Sequence, residues 1–434
     1  MTRYLIAPFI WMLLLSCSLG AQTAKKESSL TDPFTKEIQK LADKKNVKDA
    51  FAVIDQLEKT TLQEHILLTE IPAPPFMEMT RALKFSAMLK EAGADNVWID
   101  SLGNVLALRK GKKSTKTIAL DAHLDTVFPE GTDVNVKQKG DTLYAPGIGD
   151  DTRGLVTILT VLKALEKANV ETNDDVLFIG SLGEEGLGDL RGVKYLFKNN
   201  TPKIDSWISV DGEEIGSITN GALGSVRYRV TFKGPGGHSW AAFGLGNPHH
   251  ALGKAIDYFT EEASRFTSQP GPKTSFNVGR IGGGTSINAI PFESWMEVDM
   301  RSESADRLKQ IEDIFNTAMN KALLDYNKNV KKGAPLTLDA IKIGFRPSGS
   351  TAEASPLVQR GLAAARYFGV VTSLNIVSTN SNIPIAKGIP AITIGPGGKG
   401  GNEHALNEWW LNDKGAEGIK FALLVLLSEA GVAK

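Results

Sequence analysis

The chain has 434 residues, 42% of them hydrophobic and 7% aromatic, enough to bury two cores and long enough for two or three domains. Its 49 basic side chains balance 49 acidic ones, and aromatics are not interleaved with basic runs, so neither charge nor pattern points to nucleic acid as a partner. A single cysteine, Cys17, excludes a disulfide framework.

Arg3 precedes an apolar stretch from Tyr4 to Leu15 and then small residues up to Ala21. This is short for a membrane span and fits an export signal over residues 1–21. Leu14-Leu15-Ser16-Cys17 is a loose match to the bacterial lipoprotein cleavage box, with an acylated Cys17 as anchor. Ordinary cleavage near Ala21 is the preferred reading, and either one places the mature chain outside the cytoplasm, periplasmic or secreted. Residues 22–32 are polar and read as a flexible tether. His65, beside Ile66-Leu67-Leu68 on a predicted helix, matches no motif and reads as a partly buried structural histidine.

Four apolar runs then end alike. Ile118-Ala119-Leu120 leads to His123-Leu124-Asp125, Val176-Leu177-Phe178-Ile179 to Glu184-Glu185, and Trp207-Ile208-Ser209-Val210 to Asp211; Ala391-Ile392-Thr393-Ile394 reaches His404 across a glycine-rich loop. In an open, mostly parallel sheet, ligands sit outside the strands' carboxyl ends, so these four loops are expected to converge on one place. Carboxylates crowded into one cleft repel unless cations sit among them. Imidazole and carboxylate without thiolate is a donor set that zinc accepts, with cobalt or manganese as alternatives. On a strand end, residues i and i+2 point the same way, so the Asp125 carboxylate is expected behind the His123 imidazole as its acceptor. Leu155, Ile158, Leu159, Leu162 and Leu165 predict a helix just after Gly149-Asp150-Asp151, capped by Asp150 or Asp151.

After Gly224 the period changes to two. Val226, Tyr228, Val230 and Phe232 alternate with Arg227, Arg229, Thr231 and Lys233, which predicts a strand with one buried face. A helix with Leu252, Ala255, Ile256 and Phe259 follows, and His249 and His250 at its start read as capping or interface residues. Strands at Thr274–Arg280 and Ser294–Arg301, a long helix with Leu308, Ile311, Phe315 and Leu323, and a strand near Leu336–Gly344 complete a β-α-β-β-α-β order. That order predicts a ferredoxin-like sandwich over residues 223–343, inserted between segments 33–222 and 344–434 of an α/β domain. The glycine runs at 282–284 and 395–401 lack the Gly-Lys-Ser/Thr ending of a phosphate loop and read as loops that bring backbone close to substrate.

Singly, each motif has a bland reading as a surface pair or a solvated helix start. Together and in order, His123-x-Asp125, Gly149-Asp150-Asp151, Glu184-Glu185, Val210-Asp211-Gly212 and Glu403-His404 resemble the dinuclear zinc metallopeptidases related to peptidase T, carboxypeptidase G and aminoacylase. The resemblance runs from around Thr61 to the C-terminus. It implies two zinc ions per chain, with Asp150 bridging them, His123 and Asp211 completing one shell, and Glu185 and His404 the other. It implies Glu184 as the general base, moving a proton from the attacking water to the leaving amine. Asp rather than Glu at 211, in a stretch similar to peptidase T, implies a di- or tripeptidase acting from the amino end. An N-acyl amino acid deacylase is the alternative on the same fold, and a non-catalytic binding protein the alternative from another class.

The inserted sandwich resembles the family's lid and dimerisation domain, which implies a homodimer. Gly234–Ser239 resembles the lid loop whose histidine reaches the partner's scissile carbonyl, making His238 an oxyanion stabiliser. Gly282–Asn288 resembles the adjoining substrate loop, with Asn288 on the substrate backbone, and Arg346 is expected to meet a carboxylate of the substrate. The chain departs from the pattern at Ser378-Thr379-Asn380-Ser381-Asn382, where relatives often show Thr-Asp-Ala or Ser-Asp-Ala. Asn380 thus stands where an acid is expected, which puts loop support and substrate preference in doubt while touching no expected metal ligand.

Overall fold

The computed structural model describes residues 32–199, 202–212 and 214–434. The expected export signal, Cys17 and the tether up to residue 31 lie outside the described residues. The larger sheet has nine strands, and at its centre Asp175–Ser181, Thr117–His123, Ser206–Val210 and Ala391–Ile394 run parallel in that spatial order. Antiparallel strands flank them, Val105–Arg109 on one side and Ile218–Ala222 on the other.

The central strands are apolar without alternation because both faces are covered. Leu120, Phe178 and Ile208 pack on one side against the helices Thr152–Lys167 and Gly415–Ala430. Leu177, Ile179 and Trp207 pack on the other side against Val193, Leu196 and Phe197 of the helix Arg191–Asn199. Each such large apolar side chain contributes about 1.5–3 kcal/mol on full burial, so the sheet's position is strongly determined and its strand ends form a rigid rim.

A second sheet is antiparallel throughout, in the order Thr274–Gly283, Glu293–Ser302, Gly224–Lys233, Thr337–Arg346. Val226, Val230 and Phe232 face the helices Pro248–Thr267 and Ala305–Asn327, where Phe259 and Phe315 meet edge to face at 5.3 Å. This is the ferredoxin-like sandwich that the alternation predicts. The opposite face carries cross-strand ion pairs, Arg227–Asp299 at 2.8 Å and Arg229–Glu297 at 2.7 Å. The fourth strand continues past residue 343 to Arg346, which pairs with Ser225, so Arg346 closes the inserted sheet where it joins the larger one.

His65 is fully buried, more so than expected. Its Nε2 lies 2.6 Å from the Ile148 carbonyl and its ring meets Trp410 edge-on at 4.9 Å. Burial pushes its pKa down to about 3, so the ring is neutral and serves as a strut beneath the 147–150 loop. The helix Pro248–Thr267 is capped by Asn247, whose Oδ1 accepts from the His249 N–H at 2.9 Å; the His249 ring turns to Ser294 Oγ at 2.7 Å.

Candidate metal centre

His123 ends its strand, buried, and three contacts fix it. Its main-chain N–H donates to Asp151 Oδ2 at 2.8 Å, and its Nδ1 donates to the Asp125 carbonyl at 3.0 Å. A carbonyl only accepts, so this contact assigns the Nδ1 proton and leaves Nε2, 2.8 Å from Asp150 Oδ1, to face the cleft. The Asp125 carboxylate is not the acceptor expected behind the imidazole: it stands 3.7 Å from Nδ1. It accepts instead from the N–H groups of Glu184 and Glu185, at 3.0 and 2.9 Å. Two amides aligned on one carboxylate make charge-assisted bonds, stronger than a single contact to a neutral ring.

Asp151, not Asp150, caps the helix Thr152–Lys167, accepting from the Gly154 N–H at 3.1 Å. The Asp150–Asp151 peptide is cis. Asp150 is left to present both oxygens to the cleft. Oδ1 faces His123, while Oδ2 is 3.1 Å from His404 Nε2, itself 2.9 Å from Glu185 Oε1. His404 reaches in from a loop whose backbone is left-handed at that residue, φ +64.

Donor atoms of His123, Asp150 and Asp211 lie within 4.8 Å of one another, and so do those of Asp150, Glu185 and His404. Asp150 belongs to both sets. A third set is His123, Glu184 and Glu185. All five expected ligands therefore converge, and Asp150 is the point they share.

The electrostatics test whether cations fit. Burial pushes the Asp211 carboxyl well above the usual range, and the neighbouring Asp150, Glu184 and Glu185 charges add to this. Burial, then Asp150, pushes Glu185 up to about 7. His404 is raised to about 11 by its hydrogen bonds to Asp150 and Glu185. Burial also works against charge on Asp150, but bonds from His123 and His404 outweigh it and hold that carboxyl well below its ordinary value. Without metal, the imidazoles act as the counterions of a carboxylate cluster; divalent cations at the same donors fit the charge and the N/O chemistry.

Glu184, also buried, lies beside the cluster with Oε1 3.0 Å from Arg346 Nη1. Burial raises its pKa and the Arg346 charge opposes the rise. Arg346 also donates to the Glu184 carbonyl and, at 2.9 Å, to Ser378 Oγ. The carboxylate that Arg346 meets is thus Glu184's own. His238 and Asn288 are elsewhere, on a short ribbon in which Gly237–His238 pairs with Ala289–Ile290 and the Ser239 N–H donates to the Asn288 carbonyl at 2.9 Å. Neither lines the cleft of about 460 Å³ that holds the cluster, whose wall on the second sheet is Arg227, Arg301 and Arg346.

Two features escape sequence reasoning. Asn380 Nδ2 donates to Asp121 Oδ2 and to Ser181 Oγ, each at 2.8 Å. The acid missing at 380 is thus found across the contact, on the His123 strand. Glu408, 1% exposed, is the other: its carboxylate accepts from the N–H groups of Gly147, Gly149 and Asp150 at 2.8, 2.8 and 3.0 Å. Its one sequence signal is an acid placed just before the strand Trp409–Leu411.

Residues 119–428 match the model of peptidase family M20/M25/M40. The chain belongs to this family. Its members are hydrolases of peptide or amide bonds, and so is this protein. It is 26% identical over 313 residues to the cytosol non-specific dipeptidase of Escherichia coli, a match that spans 63% of this chain and 59% of that one. In structure it is similar to the aminopeptidase PepT of Bacillus cereus, with a TM-score of 0.67 at 19% identity over 85% of this chain and 98% of that one. It is also similar to the Bacillus subtilis YXEP protein, a dinuclear metal binding peptidase of the M20 family, with a TM-score of 0.61 at 18% identity over 87% and 99% of the two chains. At these identities the structural likenesses speak for the fold. The family depends on a dinuclear metal centre, and the cluster around Asp150 is the candidate for it here.

Proposed function

We propose that the protein is a dizinc exopeptidase that cleaves di- or tripeptides from the amino end. The observation that carries this reading is Asp150, shared by two donor sets, with Glu184 beside them and paired with Arg346. His123 and Asp211 would hold one ion with Asp150, and Glu185 and His404 the other. When bound, such a pair would polarise the scissile carbonyl and lower the pKa of the attacking water. Glu184 takes the proton from the attacking water and passes it to the leaving amine. Asp125 anchors the main chain of both glutamates, which keeps the base and its metal-binding neighbour in fixed relation.

A free tripeptide is expected to be hydrolysed with kcat/KM at least about tenfold above that for an N-acetyl amino acid, a difference of about 1.4 kcal/mol in transition-state binding. Purified protein with its metal content measured is assayed on both. Preference for the blocked substrate would replace the peptidase reading with the deacylase one.

The inserted sandwich, 223–343, acts in this reading as lid and dimerisation domain. Support comes from the ribbon around His238, where Trp240 is 87% exposed, Phe243 84% and Ile287 104%, an apolar surface suited to cover by a second copy. In such a dimer His238 stabilises the oxyanion and Asn288 holds the backbone of substrate in the partner's cleft. Mixing inactive His238→Ala and Glu184→Gln chains is then expected to restore one intact site per hybrid dimer, about half the activity of a wild-type dimer and about a quarter of the wild-type total when chains mix at random. Demonstrably mixed dimers that stay inactive would place His238 in its own chain's chemistry. Export over residues 1–21 is part of the same reading, and fractionation of an expressing cell with N-terminal sequencing of the recovered chain tests it: a chain that stays in the cytoplasm with Met1 intact would sink it.

A further inference from the structure

Glu408 commits both carboxylate oxygens to one loop. Oε2 accepts from Gly147, and Oε1 accepts from Gly149 and from Asp150. The loop is shaped for this contact. Gly147 takes φ +77, and a Cβ there would stand 2.7 Å from Thr126 Cγ2; a Cβ on Gly149 would stand 3.3 Å from Glu408 Oε1. The loop's carbonyls are held from the other side, Gly147 by Thr152 Oγ1 at 2.7 Å and Ile148 by His65 Nε2 at 2.6 Å.

One segment therefore grips Asp150 twice. His404 meets its carboxylate, and Glu408, in the same loop, holds its main-chain N–H. The Glu408 carbonyl adds a third tie by accepting from the Ala145 N–H at 3.1 Å. Since Asp150 has one oxygen for each donor set, a rotation of its main chain moves both oxygens at once, whereas a change at His404 touches only one set.

We propose that Glu408 is a positioning residue that sets the direction of the Asp150 carboxylate between the two metal sites; this rests on Asp150 as the bridge. It predicts a loss that falls on both metal equivalents together. The full-length chain, stripped by chelator, is titrated with Co²⁺ while the visible absorption is recorded. Wild type is expected to take two equivalents. Glu408→Ala is expected to bind both about 10–100-fold more weakly, with an altered cobalt spectrum, and to lose kcat about tenfold or more while KM stays within about threefold. His404→Ala is the contrast, expected to weaken one equivalent chiefly.

Glu408→Gln keeps an oxygen for Gly149 and Asp150 but opposes the Gly147 N–H with an amide donor, so partial rescue is expected, between Ala and wild type. It also serves where the Ala variant does not fold. Unchanged cobalt affinity and spectrum in the folded variant, with or without a lowered Tm of the metal-free chain, would overturn the positioning role and leave the dinuclear reading standing. Wild type that takes up no cobalt would overturn both.

Discussion

Glu184→Gln is expected to leave two equivalents of metal in the purified protein and to lower kcat by about a hundredfold or more. Glutamine keeps the volume of the side chain and the N–H that Asp125 accepts from, so the loop and its neighbour Glu185 stay in place. What it loses is the ability to take a proton, and a positioned general base typically supplies about 10²–10⁴ in rate. The buried Arg346 retains the Glu184 carbonyl and Ser378 Oγ as acceptors, which limits the cost of removing the charge it pairs with. Elemental analysis together with single-turnover hydrolysis of a tripeptide checks both halves. Unchanged turnover would remove Glu184 from its role. Loss of metal would instead make it a ligand, as the set His123, Glu184 and Glu185 allows.

His123, Glu185, Asp211 and His404 are legible in the sequence because each follows an apolar run, and parallel strands covered on both faces bring such ends to one rim; Asp150 is legible from the helix that starts just after it. The inserted sandwich is legible because Val226, Tyr228, Val230 and Phe232 keep a strict period of two on a single buried face. Glu408 is not legible, because its partners are main-chain N–H groups up to 261 positions away and no periodicity marks a residue that binds backbone. Asp125 shows the same limit: strand geometry places it near His123, but which donors its oxygens choose depends on where the turn before Glu184 aims two amides. At Asn380 the sequence reveals the missing acid and conceals the remedy, since Asp121 looks like an ill-placed charge in an apolar strand until the fold puts it 2.8 Å away. The last strand of the sandwich is expected near Leu336–Gly344, yet beyond a bulge between Lys342 and Gly344 the pairing continues as far as Arg346. Arg346, at the end of that pairing, meets Glu184 at 3.0 Å.

Asp150→Asn is expected to do the greater damage, by a different route. The amide keeps the shape of the carboxylate but offers one oxygen acceptor in place of two anionic ones, so it cannot serve His123 and Asp211 on one side and Glu185 and His404 on the other. Metal content is expected to fall from two equivalents to one or fewer, and hydrolysis by about a thousandfold, since metal stabilisation of the transition state is worth several kcal/mol and each step of about 1.4 kcal/mol is a factor of ten. Thermal unfolding gives an independent reading. A ligand present at about 100 times its Kd stabilises the fold by about 2.7 kcal/mol, so chelator should lower the Tm of wild type and of Glu184→Gln by more than that of Asp150→Asn, which has less metal to lose. An Asp150→Asn chain that keeps both ions and most of its turnover would shift the bridge to another carboxylate. The two variants together separate holding metal from moving the proton: in one, metal stays and catalysis goes; in the other, catalysis goes because the metal has.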